Sequence, residues 1–322
     1  VKKALSTIKR KIIIIDINDK FADQSKLQKI GDLEYEKFLS TGDNLSIIGF
    51  GGIVLKDETS FDASKYVSYA YDNGINYFDV APAYGNAEEK LGPALYPYRK
   101  NVFLACKTGK RNYSDAKKEL LQSLRNLKTD YLDLYQMHSV SSEEDFQNII
   151  KNDGVLKLLI EMKEKGIIRN IGFSAHSSEI GVKLLDYFDF DSILFPLNFT
   201  TWYQGGFGKD LLNKSIETNT TRLGLKPGAS NALSLDTINC KPSKNVKRIR
   251  DKCWYAPLED DEILKIAYKW ALSQSVTSVL PPGEFDLWKK ALEIVMDFKP
   301  INDEELKILK DCSENKLPLF TL

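Results

Sequence analysis

The chain has 322 residues, 43% of them hydrophobic and 28% charged, which excludes global disorder and permits a large core. Its 45 basic residues balance its 45 acidic ones. No charge excess marks a nucleic-acid surface, and a small molecule is the default partner.

The N-terminus is basic and leads into Ile12-Ile13-Ile14-Ile15, an apolar run too short for a signal peptide and closed by Asp16. No stretch approaches a membrane-spanning length. The expectation is a cytoplasmic protein with no membrane partner; the missing initiator Met leaves room for a trimmed precursor. Residues 1–32 read as an N-terminal extension, and 33–322 as one domain. Tyr35 to Phe38 and the turn Thr41-Gly42-Asp43-Asn44 suggest a hairpin closing a barrel floor.

From Leu45 onward short apolar runs alternate with amphipathic stretches. Strands are expected at 45–50, 75–80, 102–106, 131–137, 170–174, 192–196, 221–226 and 277–280. Helices are expected at 62–72, 88–95, 114–127 (capped by Ser114), 154–165, 178–187, 210–217, 259–273, 285–298 and 303–311. Eight strand–helix units of about 30 residues argue for an α/β fold with a parallel sheet closed into a (β/α)8 TIM barrel. Gly49-Phe50-Gly51-Gly52 is no dinucleotide fingerprint of the open-sheet kind, because no helix follows at once. The segment 227–257, after the seventh strand, reads as a long irregular loop over the active face.

Barrel enzymes carry their chemistry just past strand C-termini. Asp79 ends the second strand, and Tyr84 follows in its loop. Lys107 ends the third strand and His138 the fourth. Each alone is ordinary: a helix cap, a surface aromatic, a solvated lysine, a structural histidine. Their equivalent places on consecutive strands point to one site. A phenol is a poor acid near neutrality, and a neighbouring ammonium lowers its pKa. Asp79 would hold Lys107 charged, and His138 would orient a carbonyl oxygen. This set protonates an alkoxide while a nicotinamide supplies hydride. With two histidines in the chain and four cysteines without CxxC spacing, no metal site is expected.

The run Phe78-Asp79-Val80-Ala81-Pro82-Ala83-Tyr84-Gly85, with Glu88 and Leu91-Gly92, resembles the aldo-keto reductase signature. Cys106-Lys107-Thr108 and Tyr135-Gln136-Met137-His138 resemble that family's Lys and His strands. The resemblance implies an NAD(P)-dependent oxidoreductase that reduces an aldehyde or ketone, or runs the reverse, with Asp79, Tyr84, Lys107 and His138 as catalytic tetrad. It implies cofactor contacts from Ser174 in Gly172-Phe173-Ser174, from Asn198, and from Pro282 and Gly283 in the turn after the eighth strand. Gly51, Lys226 and Glu284 join that cofactor set.

The sequence departs from the family at Leu194, where a Gln is usual, and at Leu225-Lys226-Pro227, which lacks the stacking aromatic. It departs most after Gly283, where Glu284 and Asp286 replace phosphate-clamping bases. Carboxylates there favour NAD, while the family's usage favours NADP, and both stay open. Trp202, Tyr203, Trp254 and Tyr255 are candidate substrate-pocket residues, for a carbonyl or alcohol substrate of sugar-like or apolar kind; His176 is a further candidate. The basic residues of the long loop, Lys244, Lys247, Arg248, Arg250 and Lys252, read as a solvated face or as a lid on an acidic group. The alternative function is a non-catalytic or weakly catalytic regulatory barrel of the same family. A monomer or weak homo-oligomer is expected, with no nucleic acid partner.

Overall fold

In the computed structural model the described residues are 33–240 and 246–322. The expected extension 1–32 and the loop residue Lys244 lie outside them. The chain opens with a hairpin of β1 (Tyr35–Lys37) and β2 (Asn44–Ser46). Its turn needs Gly42, whose φ of +76° lies in the left-handed region.

Eight further strands form one parallel sheet. They are β3 (Phe50–Gly51), β4 (Tyr77–Asp79), β5 (Phe103–Thr108), β6 (Leu132–Val140), β7 (Ile168–Ala175), β8 (Ser192–Pro196), β9 (Thr221–Leu225) and β12 (Ser278–Leu280). The sheet runs in that order from β3 to β12. Its ends meet where the Gly49 amide donates to the Val279 carbonyl at 2.9 Å and the Val279 amide to the Ile47 carbonyl at 3.0 Å. The architecture is the expected (β/α)8 barrel.

Helices wrap the sheet: α1 (Ser60–Asp72), α2 (Ala87–Leu95), α3 (Tyr113–Asn126), α4 (Glu143–Ile150), α5 (Val155–Glu164), α6 (Ser178–Tyr187), α7 (Phe199–Tyr203), α8 (Lys209–Glu217), α9 (Asp261–Leu272), α10 (Phe285–Met296) and α11 (Asp303–Ser313). No helix among the described residues is long and apolar enough to cross a membrane.

The structure corrects three readings. The expected first strand, 45–50, is divided: Leu45 and Ser46 pair backwards with β1, and only Phe50 and Gly51 pair with β4. The cap of α3 is Asn112, whose Oδ1 accepts the Asp115 amide at 2.9 Å, two residues before the expected Ser114. The segment 227–257 is not irregular throughout. It holds an antiparallel ribbon of β10 (Ala229–Ala232) and β11 (Tyr255–Pro257), with a 3-10 stretch at Leu235–Cys240.

The barrel floor is sealed by Phe38, fully buried, with its ring 4.9 Å from that of Phe103. Leu45, Tyr77, Ala105, Leu134, Leu194, Leu223 and Leu280 complete this inner cluster. Gly49 is required beside it, because any Cβ there would collide with the Tyr77 ring and Leu280. Phe38→Ala should cost about 3–5 kcal/mol, the range for a truncated buried aromatic. Urea denaturation checks this, and a loss below about 1 kcal/mol would mean that the floor is not packed as described.

Candidate active site

Strand periodicity builds the site. In β5, Phe103 and Ala105 point into the barrel while Leu104 and Cys106 face the helices, so Lys107 points inward. The same alternation turns Tyr77 and Asp79 of β4, and Leu134, Gln136 and His138 of β6, toward the axis. The barrel interior is therefore layered, apolar at the floor and polar at the C-terminal rim.

Asp79 and Lys107, each 1% exposed, form a buried ion pair. The Lys107 ammonium also approaches the Val80 carbonyl at 3.4 Å. On its other oxygen Asp79 accepts Gln136 Nε2 at 3.0 Å and the Tyr77 hydroxyl at 3.3 Å. Two neutral donors thus share the carboxylate with one cation, which is what a buried anion needs. Tyr84 rises from a 3-10 turn, Pro82–Tyr84, closed by Gly85 at φ +63°. The Lys107 Nζ lies 5.5 Å from the centroid of the Tyr84 ring. The His138 ring stands edge-on to that of Tyr84 with centroids 5.8 Å apart. The structure brings all four sequence candidates to one place.

Burial pushes the Tyr84 phenol up from its ordinary value. The Lys107 charge and its hydrogen bond pull the other way, and Asp79 adds to the rise. The net direction is upward, so the lowering expected from the ammonium is outweighed by desolvation in this state. Burial also opposes the charge on Lys107, but Asp79 and Tyr84 outweigh it and the ammonium is favoured. His138 is held well below the usual imidazole range by burial, then by Lys107, His176, Lys226 and Arg111. It is a neutral ring near pH 7.

Gln136 and Tyr77 were not singled out in the sequence, although Gln136 stands two residues before His138 on the inward face of β6. The C-terminal segment was not singled out either. Phe320 is fully buried, 4.8 Å from the His176 ring and 5.8 Å from Trp254. The Leu319 amide donates to Thr201 Oγ1 at 3.1 Å, which ties this segment across the rim. The apolar run Leu317-Pro318-Leu319-Phe320 was the available signal.

The other candidates divide. Tyr255 is 4% exposed, and its phenol is pushed up by burial and, to a lesser extent, by the nearby Tyr84. Trp254 packs on Tyr255 and Phe320. Trp202 and Tyr203 instead lie against Trp270 of α9, with ring centroids 5.6 and 6.0 Å away, in the helical layer. Lys226 occupies the left-handed region at φ +61°, an outlier for a non-glycine residue at a strand end. Its Nζ stands about 6 Å from the rings of Trp254 and Phe320.

His176, beside this group, has its pKa lowered to about 3 by burial and then by Lys226. The unfolded-chain value is about 6.5. Between these pH values the unfolded chain binds the extra proton, so this histidine makes stability rise with pH from about 3 to 6.5 and adds no slope above. In urea denaturation across that window His176→Leu should show a shallower acid slope than the parent; an equal slope would contradict the burial of a neutral ring.

Residues 47–203 match the Aldo/keto reductase family. Over these residues, about half of the chain, it resembles that family, and it shares the barrel fold of the family's solved structures. It is 31% identical over 166 residues to Aldo-keto reductase YhdN of Bacillus subtilis, an overlap of 46% of this chain and 48% of the relative. It is 30% identical over 162 residues to D-arabinose 1-dehydrogenase of Saccharomyces cerevisiae, covering 45% and 47%. The chain thus spans about half the length of the curated relatives it matches. Among solved structures, the holo form of aldo-keto reductase AKR11C1 from Bacillus halodurans superposes with a TM-score of 0.65 at 21% identity, over 88% of this chain and 98% of that one. That likeness is one of fold.

Such a family implies a nicotinamide dinucleotide, and the residues present can be tested for fit. Gly51 is buried, yet a Cβ built there would meet only Ile53 at 3.9 Å, so a hollow lies over the end of β3. Ser174 Oγ accepts the Ser139 amide at 2.7 Å and keeps its own proton to donate. At the outer end, Glu284 precedes α10 without a side-chain cap, leaving first-turn amides for an anion. Asn198 is less apt, because its Oδ1 accepts the Thr201 amide at 3.0 Å while its Nδ2 donates to the Ala229 carbonyl at 2.5 Å.

The acidic turn is also occupied from within the chain. Glu284 accepts the Lys252 amide at 3.0 Å, Asp286 pairs with Arg250 at 3.1 Å, and Lys252 Nζ reaches Glu58 at 2.5 Å and the Val54 carbonyl at 2.7 Å. Arg250 and Lys252 therefore do not form a free solvated face; they bridge the loops after β3 and β12. Pro282 and Gly283 are buried beneath them, with the Lys252 carbonyl 3.1 Å from where a Gly283 Cβ would sit. The residues fit a dinucleotide at the inner hollow and at the α10 terminus.

Proposed function

We propose that this protein is an NAD(P)-dependent oxidoreductase that interconverts an aldehyde or ketone and its alcohol. The observation that carries this reading is the buried Lys107–Asp79 pair beside the Tyr84 phenol, faced by a neutral His138 ring. When bound, the reduced nicotinamide supplies hydride to the carbonyl carbon.

The protein's own work is on oxygen. Tyr84 is raised by burial and so carries its proton at neutral pH, ready to donate to the carbonyl oxygen. Negative charge then develops on the phenol oxygen, and the Lys107 ammonium stabilises it. Asp79 keeps Lys107 charged in a place where burial opposes the charge. His138, neutral, donates one hydrogen bond to the carbonyl oxygen and fixes its direction. In oxidation the same phenol receives the proton.

Gly51, Ser174 and the turn Pro282-Gly283-Glu284 would hold the dinucleotide, with Lys226 and Asn198 near its inner end. Tyr255 and Trp254 would line the substrate side of Tyr84. The carboxylates Glu284 and Asp286 repel a 2′-phosphate and favour NAD, although Arg250 and Lys252 lie against them. Parallel titrations with NAD(H) and NADP(H) should show tighter NAD(H) binding. Asp286→Lys should shift the ratio toward NADP(H) by about tenfold, the scale of one charge–phosphate contact. An unchanged ratio would remove this turn from the phosphate site.

A second reading, a cofactor-binding barrel without turnover, draws on the spent amide of Asn198 and on the bridged acidic turn. Oxidation of the tighter-binding reduced cofactor by an aldehyde and ketone panel separates the two.

A further inference from the structure

A cleft of about 760 Å³ opens at the rim between the start of α6, the turn after β6 and the C-terminal segment. None of the tetrad lines it, but His176 does, and His176 is near enough to His138 to depress that ring's basicity. The His176 ring makes no hydrogen bond among the described residues. It packs on Phe320 and keeps one donor and one acceptor for a ligand.

The hydroxyls beside it are half used. Ser177 Oγ accepts the Ile180 amide at 3.3 Å and Ser178 Oγ the Gly208 amide at 3.3 Å, so each retains a proton to give. Glu179 and Asp210 stand at the cleft as acceptors, and among the described residues neither lysine nor arginine lines it. Such a wall offers hydrogen bonds of both senses and repels anions.

Resting on the carbonyl-reductase reading above, we propose that this cleft receives the uncharged, polyhydroxylated tail of the substrate, with His176 at the junction between tail and reacting carbonyl. A hydroxyl-bearing tail satisfies the imidazole, the two serine protons and the two carboxylates together. An alkyl tail leaves the imidazole and the sheltered serine protons unpaired, and an anionic tail meets carboxylates. The neutral state of His176 throughout the near-neutral range suits it to this exchange with hydroxyls.

The chain's two histidines make a direct test possible. In protein labelled with 13C at histidine Cε1, only His138 and His176 give signals, and His176→Leu assigns them. Xylitol should move the His176 resonance saturably, and butyrate should not. In turnover, glyceraldehyde should exceed propanal in kcat/KM by about tenfold or more, and His176→Leu should bring that ratio close to one.

Absence of a xylitol response at His176, or a ratio unchanged by the substitution, would overturn the proposal. A xylitol response without turnover of either aldehyde would leave a polyol site but remove its assignment to a substrate tail. That failure belongs to the carbonyl-reductase reading, and the two are told apart by the resonance alone.

Discussion

Tyr84→Phe is expected to lower kcat for carbonyl reduction by about 10³-fold or more while cofactor affinity stays within about twofold of the parent. The size follows from what is removed. A positioned general acid is worth about 10²–10⁴ in rate, and here the same oxygen also directs developing charge toward the Lys107 ammonium. The substitution deletes one oxygen atom and leaves the ring against His138, so the barrel should not notice it. A melting temperature equal to the parent's, measured beside the kinetics, separates loss of chemistry from loss of fold. If the variant keeps more than about a tenth of the parent kcat, another group delivers the proton and the role given to Tyr84 is wrong.

The second large effect is on stability. Lys107→Met should destabilise the protein by about 3–5 kcal/mol, because it strands the Asp79 carboxylate in a place that is 1% exposed. Gln136 and Tyr77 would still donate to it, which keeps the cost within that range and not beyond. Adding Asp79→Leu to Lys107→Met should recover most of the loss, since the buried pair is then replaced by apolar groups. Activity should not return. Urea denaturation of the two single variants and the double gives the coupling. Additive losses, with the double variant least stable of all, would mean that the two side chains are not a buried pair.

Much of this was legible in the sequence, and the reasons are local. Phe103-Leu104-Ala105-Cys106-Lys107 is an apolar strand with one cation at its end; the period of two fixes which way that cation points once a barrel is assumed. The Asp79-to-Tyr84 spacing carries the turn that lifts the phenol over the strand end. Helix α6, at Ser178–Tyr187, and strand β8, at Ser192–Pro196, coincide with their expected bounds.

What was missed depends on contacts between distant segments. The expected hairpin already implies backward pairing after Asn44, but nothing near Leu45 says that this pairing takes Leu45 and Ser46 and leaves only Phe50 and Gly51 to the barrel sheet. Helix α4 was passed over although Ser142 caps it, its hydroxyl accepting the Asp145 amide at 3.1 Å; eight residues, three of them acidic, are too short a stretch to stand out. The bridge from Lys252 to Glu58 spans 194 positions, and the bond from Gln136 to Asp79 spans 57. Such pairs are set by barrel closure and leave no local trace.

The second-layer donors on Asp79 show the same limit within the site itself. A sequence reading names the groups that touch substrate, because their chemistry is distinctive. It passes over Tyr77 and Gln136, whose residue types are unremarkable until the carboxylate they serve has been placed. The departure at Asn198 is similar: the residue matches a family position, yet its amide is taken up by the Thr201 and Ala229 backbone.

In the proposed function the phenol, ammonium, carboxylate and imidazole at the barrel mouth together deliver a proton to a carbonyl oxygen. The most direct measurement is the oxidation of NADH and NADPH by the purified protein with an aldehyde and ketone panel, followed by both cofactor loss and alcohol formation. Mole-for-mole consumption of cofactor and appearance of alcohol is expected with at least one aldehyde, and neither is expected in Tyr84→Phe. Tight binding of the reduced cofactor with no oxidation across the whole panel would contradict it.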